Sequence, residues 1–274
     1  MSSYMAAAGE QMSASHADIP KQIKYEDFLH TGPGTLAGRY LRQFWQPVYL
    51  GCDLQTKQAK PIRIMSQDLT LYRGEGGQPH LLDFRCAHRG TQLSSGWVEA
   101  DNLRCFYHGW TYDGSGQCIE QPAEPVPFCQ KIRIHSYPVV EYLGILFAYL
   151  GEGAPPELPR LSDFEDTDFP VRLTRLVWPC NYFTQLDNAV DPVHAVITHP
   201  QFGSRAPGKV VCQEFSCGLA IWTVGPNGAT KNPSFFHMPN AHEWGVSPQG
   251  DRSMWTFARG WRVPIDDYEY ARYD

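Results

Sequence analysis

The sequence predicts an α+β protein in which an N-terminal all-β domain is followed by an antiparallel sheet packed with one helix. The chain has 24 glycines and 22 prolines among 274 residues, and their scatter favours short strands joined by turns. Apolar residues alternate over short segments in both halves, while a convincing helical period occurs between Asn181 and Thr198. The Pro/Gly-rich stretch 151–159 predicts a linker between the two parts.

Charge and hydropathy exclude several classes of protein. The net charge is −6 and no run of like charge is long enough to bind nucleic acid. The longest apolar stretch, residues 143–150, is too short for a membrane helix, and the N-terminus has no secretion signal. Eight cysteines without such a signal favour thiols and metal ligands in a reducing cytoplasm. We therefore expect a cytoplasmic protein with metal or redox chemistry.

The first domain is expected over residues 25–155, after a disordered leader over residues 1–24. Apolar positions between residues 25 and 45 follow a helical period and predict an N-terminal helix. Alternating segments then predict a small antiparallel barrel or sandwich. Its expected strands are Ile62–Met65, Leu69–Tyr72, His80–Phe84, Leu103–Phe106, Trp110–Tyr112 and Ile145–Tyr149.

The second domain is expected over residues 160–274, with the helix Asn181–Thr198 as its centre. Alternation in the last expected strand places aromatic side chains on one face. Such a sheet beside a polar-faced helix could enclose an apolar ligand, and plain core packing is an equal alternative. The expected strands are Val171–Val177, Lys209–Phe215, Leu219–Val224 and Met254–Val263, and the aromatic face carries Trp255, Phe257, Trp261 and Arg259.

Two Cys/His pairs are the first candidate metal site. Cys86-x-His88 and Cys105-x2-His108 are separated by sixteen residues, and each pair follows or ends an expected strand. A [2Fe–2S] cluster with two thiolates on one iron and two imidazoles on the other requires this set from two loops. Zinc is an alternative occupant, although zinc modules usually group like ligands. Unrelated core cysteines and histidines are a third interpretation.

A carboxylate and two histidines form the second candidate site. Asp191 and His194 lie three residues apart and so share one helix face. His199 would point about 140° away from His194 on an unbroken helix, but Pro200 disfavours helical backbone at His199 and allows it to turn back. Two imidazoles with a carboxylate are typical of mononuclear Fe(II) oxygenases.

A second histidine pair, His237 and His242, has the same spacing as His194 and His199. It lacks an acid three residues before the first histidine, where Ser234 stands, and Pro239 and Asn240 interrupt it. We therefore expect these two histidines to be loop or pocket residues.

The run Cys86-Ala-His88-Arg-Gly with Cys105-Phe-Tyr-His108-Gly-Trp resembles the signature of the Rieske non-haem iron oxygenases. Residues 32–48 resemble the phthalate dioxygenase branch. The resemblance implies an N-terminal Rieske [2Fe-2S] domain, with the four Cys and His residues as its metal ligands, followed by a helix-grip-like catalytic domain. It also implies a terminal oxygenase component.

The same resemblance implies roles around a mononuclear Fe(II). His194 and His199 match its two histidine ligands, and Asn188 matches a polar residue bordering the iron. Asp191 matches the acid that connects the cluster of one subunit to the iron of its neighbour. The third ligand of relatives is a carboxylate on a later helix, so we expect a chain that is incomplete at its C-terminus. Asp266 and Asp267 are the alternative ligands within it.

No nucleotide-binding motif is present in the sequence, so electrons are expected from a separate NAD(P)H-dependent flavin/iron–sulfur reductase. The resemblance implies a trimer or hexamer acting with O₂ on an aromatic substrate by hydroxylation, dihydroxylation or O-demethylation. Arg259 or Arg262 could hold a substrate carboxylate, and structural ion pairing is the favoured alternative. Two rival classes remain, a Rieske-type electron carrier without oxygenase activity and a zinc-binding module.

Overall fold

The computed structural model describes residues 22–165, 172–199, 208–225, 228, 234–244 and 258–274. The chain forms two compact units, an N-terminal unit over His30–Pro156 and a C-terminal unit over Glu157–Asp274 together with the residues up to Leu29. Most of the expected leader, residues 1–21, lies outside the described residues. Among the described residues, no helix has both the length and the apolar composition needed to cross a bilayer.

The first helix, α1 (Glu26–Leu29), groups with the C-terminal unit, whereas the sequence placed it in the first domain. Phe28 stacks on Phe183 with 4.7 Å between ring centroids, and Asn181 Nδ2 donates to the Leu29 carbonyl at 2.8 Å. The expected single helix over 25–45 is therefore two helices. The second, α2 (Leu36–Leu41), begins at Thr35, whose hydroxyl accepts from the Gly38 N–H.

Three small antiparallel sheets build the N-terminal unit, with strand orders β1-β11-β10, β2-β3-β4-β9 and β5-β6-β7-β8. The six strands expected from alternation are all present, with ends shifted by up to three residues. The strands are β1 (Gln46–Leu50), β2 (Ala59–Ile64), β3 (Gln67–Arg73), β4 (Pro79–Asp83), β5 (Trp97–Glu99), β6 (Asn102–Arg104), β7 (Thr111–Tyr112), β8 (Cys118–Glu120), β9 (Ser136–Tyr137), β10 (Val139–Tyr142) and β11 (Ile145–Ala148).

A seven-stranded antiparallel sheet of order β12-β18-β17-β16-β15-β14-β13 forms the C-terminal unit with its helices. The strands are β12 (Arg175–Trp178), β13 (Lys209–Phe215), β14 (Gly218–Val224), β15 (Ser234–His237), β16 (Ala241–Trp244), β17 (Ala258–Pro264) and β18 (Tyr270–Tyr273). The helices are α3 (Ser162–Glu165), α4 (Tyr182–Val190) and α5 (Pro192–Thr198). Helix α4 packs on β15, β16 and β17, and α5 packs on β14.

The helix expected over Asn181–Thr198 is broken at Asp191, which was not foreseen. Asp191 has φ −86° and ψ 106°, so it ends α4 and begins α5. The physical reason is Pro192, which disfavours helical backbone in the residue before it and is well suited to the first position of a new helix.

The strands near the C-terminus depart further from the sequence expectation. Strand β17 begins at Ala258 within the described residues, while Trp255 and Phe257 of the expected aromatic face lie outside them. Strands β15, β16 and β18 were not expected. These three are only four residues long and carry His, Glu or Arg side chains that hide the apolar alternation.

Candidate metal centres

The two Cys/His segments fold into a pair of closely similar loops, the first cysteine loop (86–91) and the second cysteine loop (105–110). In each, the cysteine N–H donates to the carbonyl five residues later, at 2.8 Å to Thr91 and 2.9 Å to Trp110. A glycine four residues after the cysteine donates back to the cysteine carbonyl. Gly90 and Gly109 occupy this position with φ of +68° and +75°, a conformation that glycine adopts without strain.

These loops place the two histidine rings beside each other and the two cysteine thiols beside each other. The rings of His88 and His108 lie 4.6 Å apart by centroid, inclined at 65°. Burial raises the pKa of the Cys86 thiol, and the adjacent Cys105 thiol raises it further. Both cysteines are almost fully buried, while both histidines are half-buried. The pattern is a pair of inner sulfurs and a pair of outer imidazoles.

Tyr112 supports the inner pair. Its hydroxyl lies 3.2 Å from Cys86 Sγ and accepts from the Ala87 N–H at 3.1 Å. Because the Ala87 N–H already occupies a lone pair of this hydroxyl, the O–H is available to donate to the sulfur. Burial raises the pKa of Tyr112, so the hydroxyl keeps its proton at neutral pH. A hydrogen bond of this kind stabilises a thiolate.

The residues present fit a Rieske-type cluster. His88 Nδ1 is buried and has no hydrogen-bond partner among the described residues, which leaves this nitrogen available for a metal. In such a cluster one iron takes two thiolates and the other takes two imidazoles, which matches the observed pairing. A single zinc would require four ligands around one point, and within the described ranges no three His, Cys, Asp or Glu side chains converge in that way.

His194 and His199 come together at the C-terminal end of α5. The helix ends at Thr198, and His199 leaves helical backbone with φ −114° and ψ 74°. The two rings lie 5.8 Å apart by centroid, inclined at 75°. His194 Nδ1 is buried and makes no hydrogen bond within the described chain. Two imidazoles in this arrangement suit an iron site, although Pro200, the residue expected to turn His199, lies outside the described residues.

Asp191 lies beside this pair but its carboxylate is engaged in helix capping. Oδ1 accepts from the Val193 N–H at 2.7 Å and Oδ2 accepts from the His194 N–H at 3.2 Å. The same Oδ2 lies 3.5 Å from His194 Nδ1, near but beyond good hydrogen-bond length. Asn188 is exposed on α4, one turn before the break. Capping of α5 by Asp191 was therefore not predicted from the sequence.

Neither alternative carboxylate joins the two histidines. Asp266 Oδ1 accepts from the N–H groups of Tyr268 and Glu269, at 2.8 and 3.0 Å, and so shapes the turn between β17 and β18. The carbonyl of Asp267 accepts from Asn181 Nδ2 at 2.8 Å, which ties this turn to the start of α4. Among the described residues, no carboxylate completes a three-ligand group with His194 and His199.

The second histidine pair lies in the sheet, in β15 and β16, and not in a loop. Glu243 Oε2 accepts from both Nε and Nη2 of Arg259 and lies 3.2 Å from His237 Nε2. These three side chains are each less than a tenth exposed. Arg259 thus forms the structural ion pair favoured from the sequence. Burial lowers the pKa of His242 to about 4, with the Arg262 guanidinium contributing, so this imidazole stays neutral.

Sequence reasoning missed two residues beside the first centre. Tyr112 was expected only as a strand residue, and Trp110 only as part of the motif, yet both contact the Cys/His set. Position relative to Cys105 was the one available signal, since Trp110 closes the second cysteine loop and Tyr112 follows in β7.

Comparison with known proteins extends these observations. Residues 44–138 match the family model of the Rieske [2Fe-2S] domain. The 5,5'-dehydrodivanillate O-demethylase oxygenase subunit of Sphingobium sp. is 33% identical over 278 residues, covering 90% of this chain. The phenoxybenzoate dioxygenase subunit alpha of Ectopseudomonas oleovorans is 39% identical over 189 residues, covering 62% of this chain. The chain belongs to the Rieske non-haem iron oxygenase family.

The chain spans 64% of the length of the Sphingobium relative and 45% of the E. oleovorans relative. Among solved structures it is similar to the terminal oxygenase of carbazole 1,9a-dioxygenase from Novosphingobium sp. KA1. The TM-score is 0.69 at 21% identity, covering 90% of this chain and 75% of that chain. The predicted fold class is confirmed, with an N-terminal all-β Rieske domain followed by an antiparallel sheet with few helices.

Proposed function

We propose that this Rieske oxygenase is the terminal oxygenase component of a multicomponent system that oxidises a carboxylated aromatic substrate with O₂. The observation that carries the proposal is the occurrence of two histidine-containing centres in one chain. One is the pair of cysteine loops with like groups together, and the other is the His194/His199 pair at the end of α5. An electron carrier would need only the first.

When bound, the Rieske cluster supplies single-electron transfer and the mononuclear Fe(II) supplies activation of O₂. Cys86, Cys105, His88 and His108 would hold the cluster, and His194 and His199 would hold the Fe(II). A thiolate on iron has no proton to donate, so the Tyr112 hydroxyl, 3.2 Å from Cys86 Sγ, would donate to it and stabilise its anionic form.

Asp191 orients the second centre in this proposal. Its two carboxylate oxygens cap α5 and fix the backbone at His194, and Oδ2 lies 3.5 Å from the His194 ring, close enough to accept from it after a small movement. The negative charge near His194 would also serve the passage of electrons from the cluster of a neighbouring subunit. Asn188, exposed one turn earlier, would supply a polar group bordering the iron.

Substrate and partners follow from the relatives and from the absence of a nucleotide motif in the sequence. The two relatives carry the names of a 5,5'-dehydrodivanillate O-demethylase and a phenoxybenzoate dioxygenase, which supports an aromatic acid as the substrate. Electrons would come from an NAD(P)H-dependent flavin/iron–sulfur reductase. A cytoplasmic homotrimer or hexamer is the proposed assembly.

The relatives support the oxygenase over the electron carrier, because they are oxygenase subunits and the first matches through both units of the chain. Iron and acid-labile sulfide in the purified full-length protein test the choice. We expect about three irons and two sulfides per chain, since a cluster accounts for two irons and the second centre for one. Two irons and two sulfides would contradict the proposal.

Substrate class is tested by O₂ consumption with the reductase present. A phenoxybenzoate and a methoxybenzoate should each stimulate O₂ consumption, and diphenyl ether and anisole, which lack the carboxylate, serve as matched controls. Equal stimulation by the acids and the controls would show that the carboxylate is not recognised.

A further inference from the structure

A row of aromatic rings runs through the first centre. The indole of Trp110 lies flat against the His88 ring, with 4.7 Å between centroids and 7° between planes. Phe128 also contacts Trp110, edge-on, with 5.6 Å between ring centroids and 83° between planes. The His108 ring lies 4.6 Å from the His88 ring, measured between centroids. Along the row the order is Phe128, Trp110, His88 and His108, and Trp110 is the most deeply buried of the four.

Trp110 connects the two cysteine loops. Its carbonyl accepts from the Cys105 N–H at 2.9 Å and so closes the second loop. Its side chain contacts His88, which belongs to the first loop. A residue whose backbone shapes one loop thus supports a histidine on the other, so this side chain helps to couple the positions of the two loops.

The support for His88 is rigid. Trp110 is 3% exposed and belongs to the same buried cluster as Cys86 and Cys105. Phe128 braces the indole edge-on, and its backbone is fixed because its N–H donates to Gln121 Oε1 at 2.6 Å. His88 is half-buried, and rotation of its ring is also limited by the His108 ring, 4.6 Å away between centroids, and by Arg89, whose Nε lies 3.5 Å from His88 Nε2. The flat contact with Trp110 restricts it from the inner side.

We propose that Trp110 is a positioning residue that fixes the plane of the His88 imidazole for iron, and thereby sets the electronic structure and retention of the cluster. The proposal rests on ligation of the cluster by His88. It goes beyond that ligation because it assigns a function to a side chain with no ligating atom.

The test compares three variants of the full-length protein with bound cluster. Trp110→Phe keeps an aromatic face against His88, whereas Trp110→Leu removes it. Leu103→Ala opens the same buried cluster at a fully buried residue and is the matched control for general loosening. The measurements are the EPR g-values of the reduced cluster, its reduction potential and the rate of iron loss to a chelator.

We expect Trp110→Leu to shift the g-values and the potential and to speed iron loss about two- to twelvefold, the equivalent of an aromatic contact of about 0.5–1.5 kcal/mol. Trp110→Phe should stay near wild type. Leu103→Ala should lower the melting temperature and leave the g-values unchanged. If Trp110→Leu does not fold, Phe128→Leu, which removes the brace, should move the same measurements in the same direction by less.

Wild-type g-values and iron loss in Trp110→Leu, or in Phe128→Leu if it must serve instead, would show that Trp110 only fills the core. Equal changes in Leu103→Ala would assign the effect to loosening, and equal changes in Trp110→Phe would assign it to the indole N–H. Either result overturns the proposal. A cluster retained after His88→Ala would instead contradict the ligand assignment, which is a separate failure.

Discussion

The two units place their histidines by different physical means. In the N-terminal unit, each cysteine loop is closed by two of its own backbone hydrogen bonds and turned by its own glycine, so the positions of His88 and His108 follow from short stretches of sequence. In the C-terminal unit, His194 and His199 meet because α5 ends at Thr198 and His199 leaves helical backbone. Local closure makes the first site recognisable from spacing, whereas the second depends on where a helix is interrupted.

Residues of the same type also have different environments in the two units. His88 and His108 are half-buried on loops, while His237 and His242 are buried in adjacent strands beside Glu243. Burial in a strand is the environment we assign to a structural histidine, and half-burial on a loop or at a helix end is the one we assign to a candidate ligand. The predictions below test this distinction, beginning with the largest expected effect.

Replacing Cys105 with Ser should abolish the EPR signal of the reduced cluster, because an uncharged hydroxyl is a poor substitute for a thiolate on iron. Cys118→Ser is the matched control, since Cys118 is a buried cysteine of the same core cluster outside the two loops. The control should keep the signal. An unchanged signal in Cys105→Ser would remove this residue from the ligand set.

His199→Ala should lose about one iron per chain in the full-length protein, with the Rieske spectrum intact, because a facial site that loses one imidazole binds Fe(II) weakly. His237→Ala is the matched control, and it should keep all its iron, although it disturbs the Glu243 network. Loss of iron in His237→Ala with retention in His199→Ala would reverse the assignment of the two pairs.

Asp191→Asn and Asp191→Ala separate the charge of this residue from its capping. Asn still accepts a hydrogen bond at a helix start, whereas Ala does not and should cost about 1 kcal/mol of unfolding free energy. If the charge serves electron delivery, both variants should slow single-turnover oxidation of a pre-reduced cluster by about ten- to a hundredfold. A wild-type rate in Asp191→Asn would leave capping as the whole role of the residue.

Glu243→Gln should lower the free energy of unfolding of the C-terminal unit by about 3–5 kcal/mol, because it removes the charge that balances the buried Arg259. Glu99→Gln is the matched control in the N-terminal unit, where Glu99 pairs with Arg104 and is 52% exposed. That change should cost less than about 1 kcal/mol. Similar costs in urea unfolding would contradict the difference in environment.

His242 should make the C-terminal unit sensitive to mild acid. Burial lowers its folded pKa to about 4, whereas an unfolded histidine has a pKa of about 6.5. As pH falls from about 6.5 to about 4, the unfolded chain therefore takes up a proton that the folded unit does not. Stability should fall by about 3 kcal/mol across this window. Unfolding measured against pH should show a smaller fall in His242→Asn, and an identical fall would exclude His242 as the cause.

Glu243 acts in a lower range of pH. Burial alone would raise its pKa, but the His237 hydrogen bond and the Arg259 charge outweigh burial and lower it. Its contribution to stability is therefore present above its unfolded pKa of about 4.3 and lost as pH falls through the lower folded value. The effects of the two groups on stability can be told apart, because the pH range over which His242 acts lies mostly above the pH range over which Glu243 acts.

Several features of this protein were determined by short stretches of sequence. The two Cys/His pairs were enough to predict the Rieske domain. Each cysteine loop is closed by its own hydrogen bonds within six residues, so its cysteine and histidine have a short, recognisable spacing in the sequence. Six of the eleven strands of the N-terminal unit were predictable, because short apolar segments there are separated by turn residues. The Pro/Gly-rich stretch 151–159 contains the boundary between the units at Pro156. The metal roles of the individual residues stay predictions until the variants above are measured.

Other features were decided only by tertiary structure. Glu243 pairs with Arg259 because β16 and β17 are neighbours in register, and Trp110 supports His88 because two loops separated in the chain pack together. The grouping of α1 with the C-terminal unit depends on the contact of Phe28 with Phe183, 155 residues away. Periodicity and spacing describe neighbours along the chain, whereas these contacts arise from burial of surfaces contributed by distant segments, which no local pattern records.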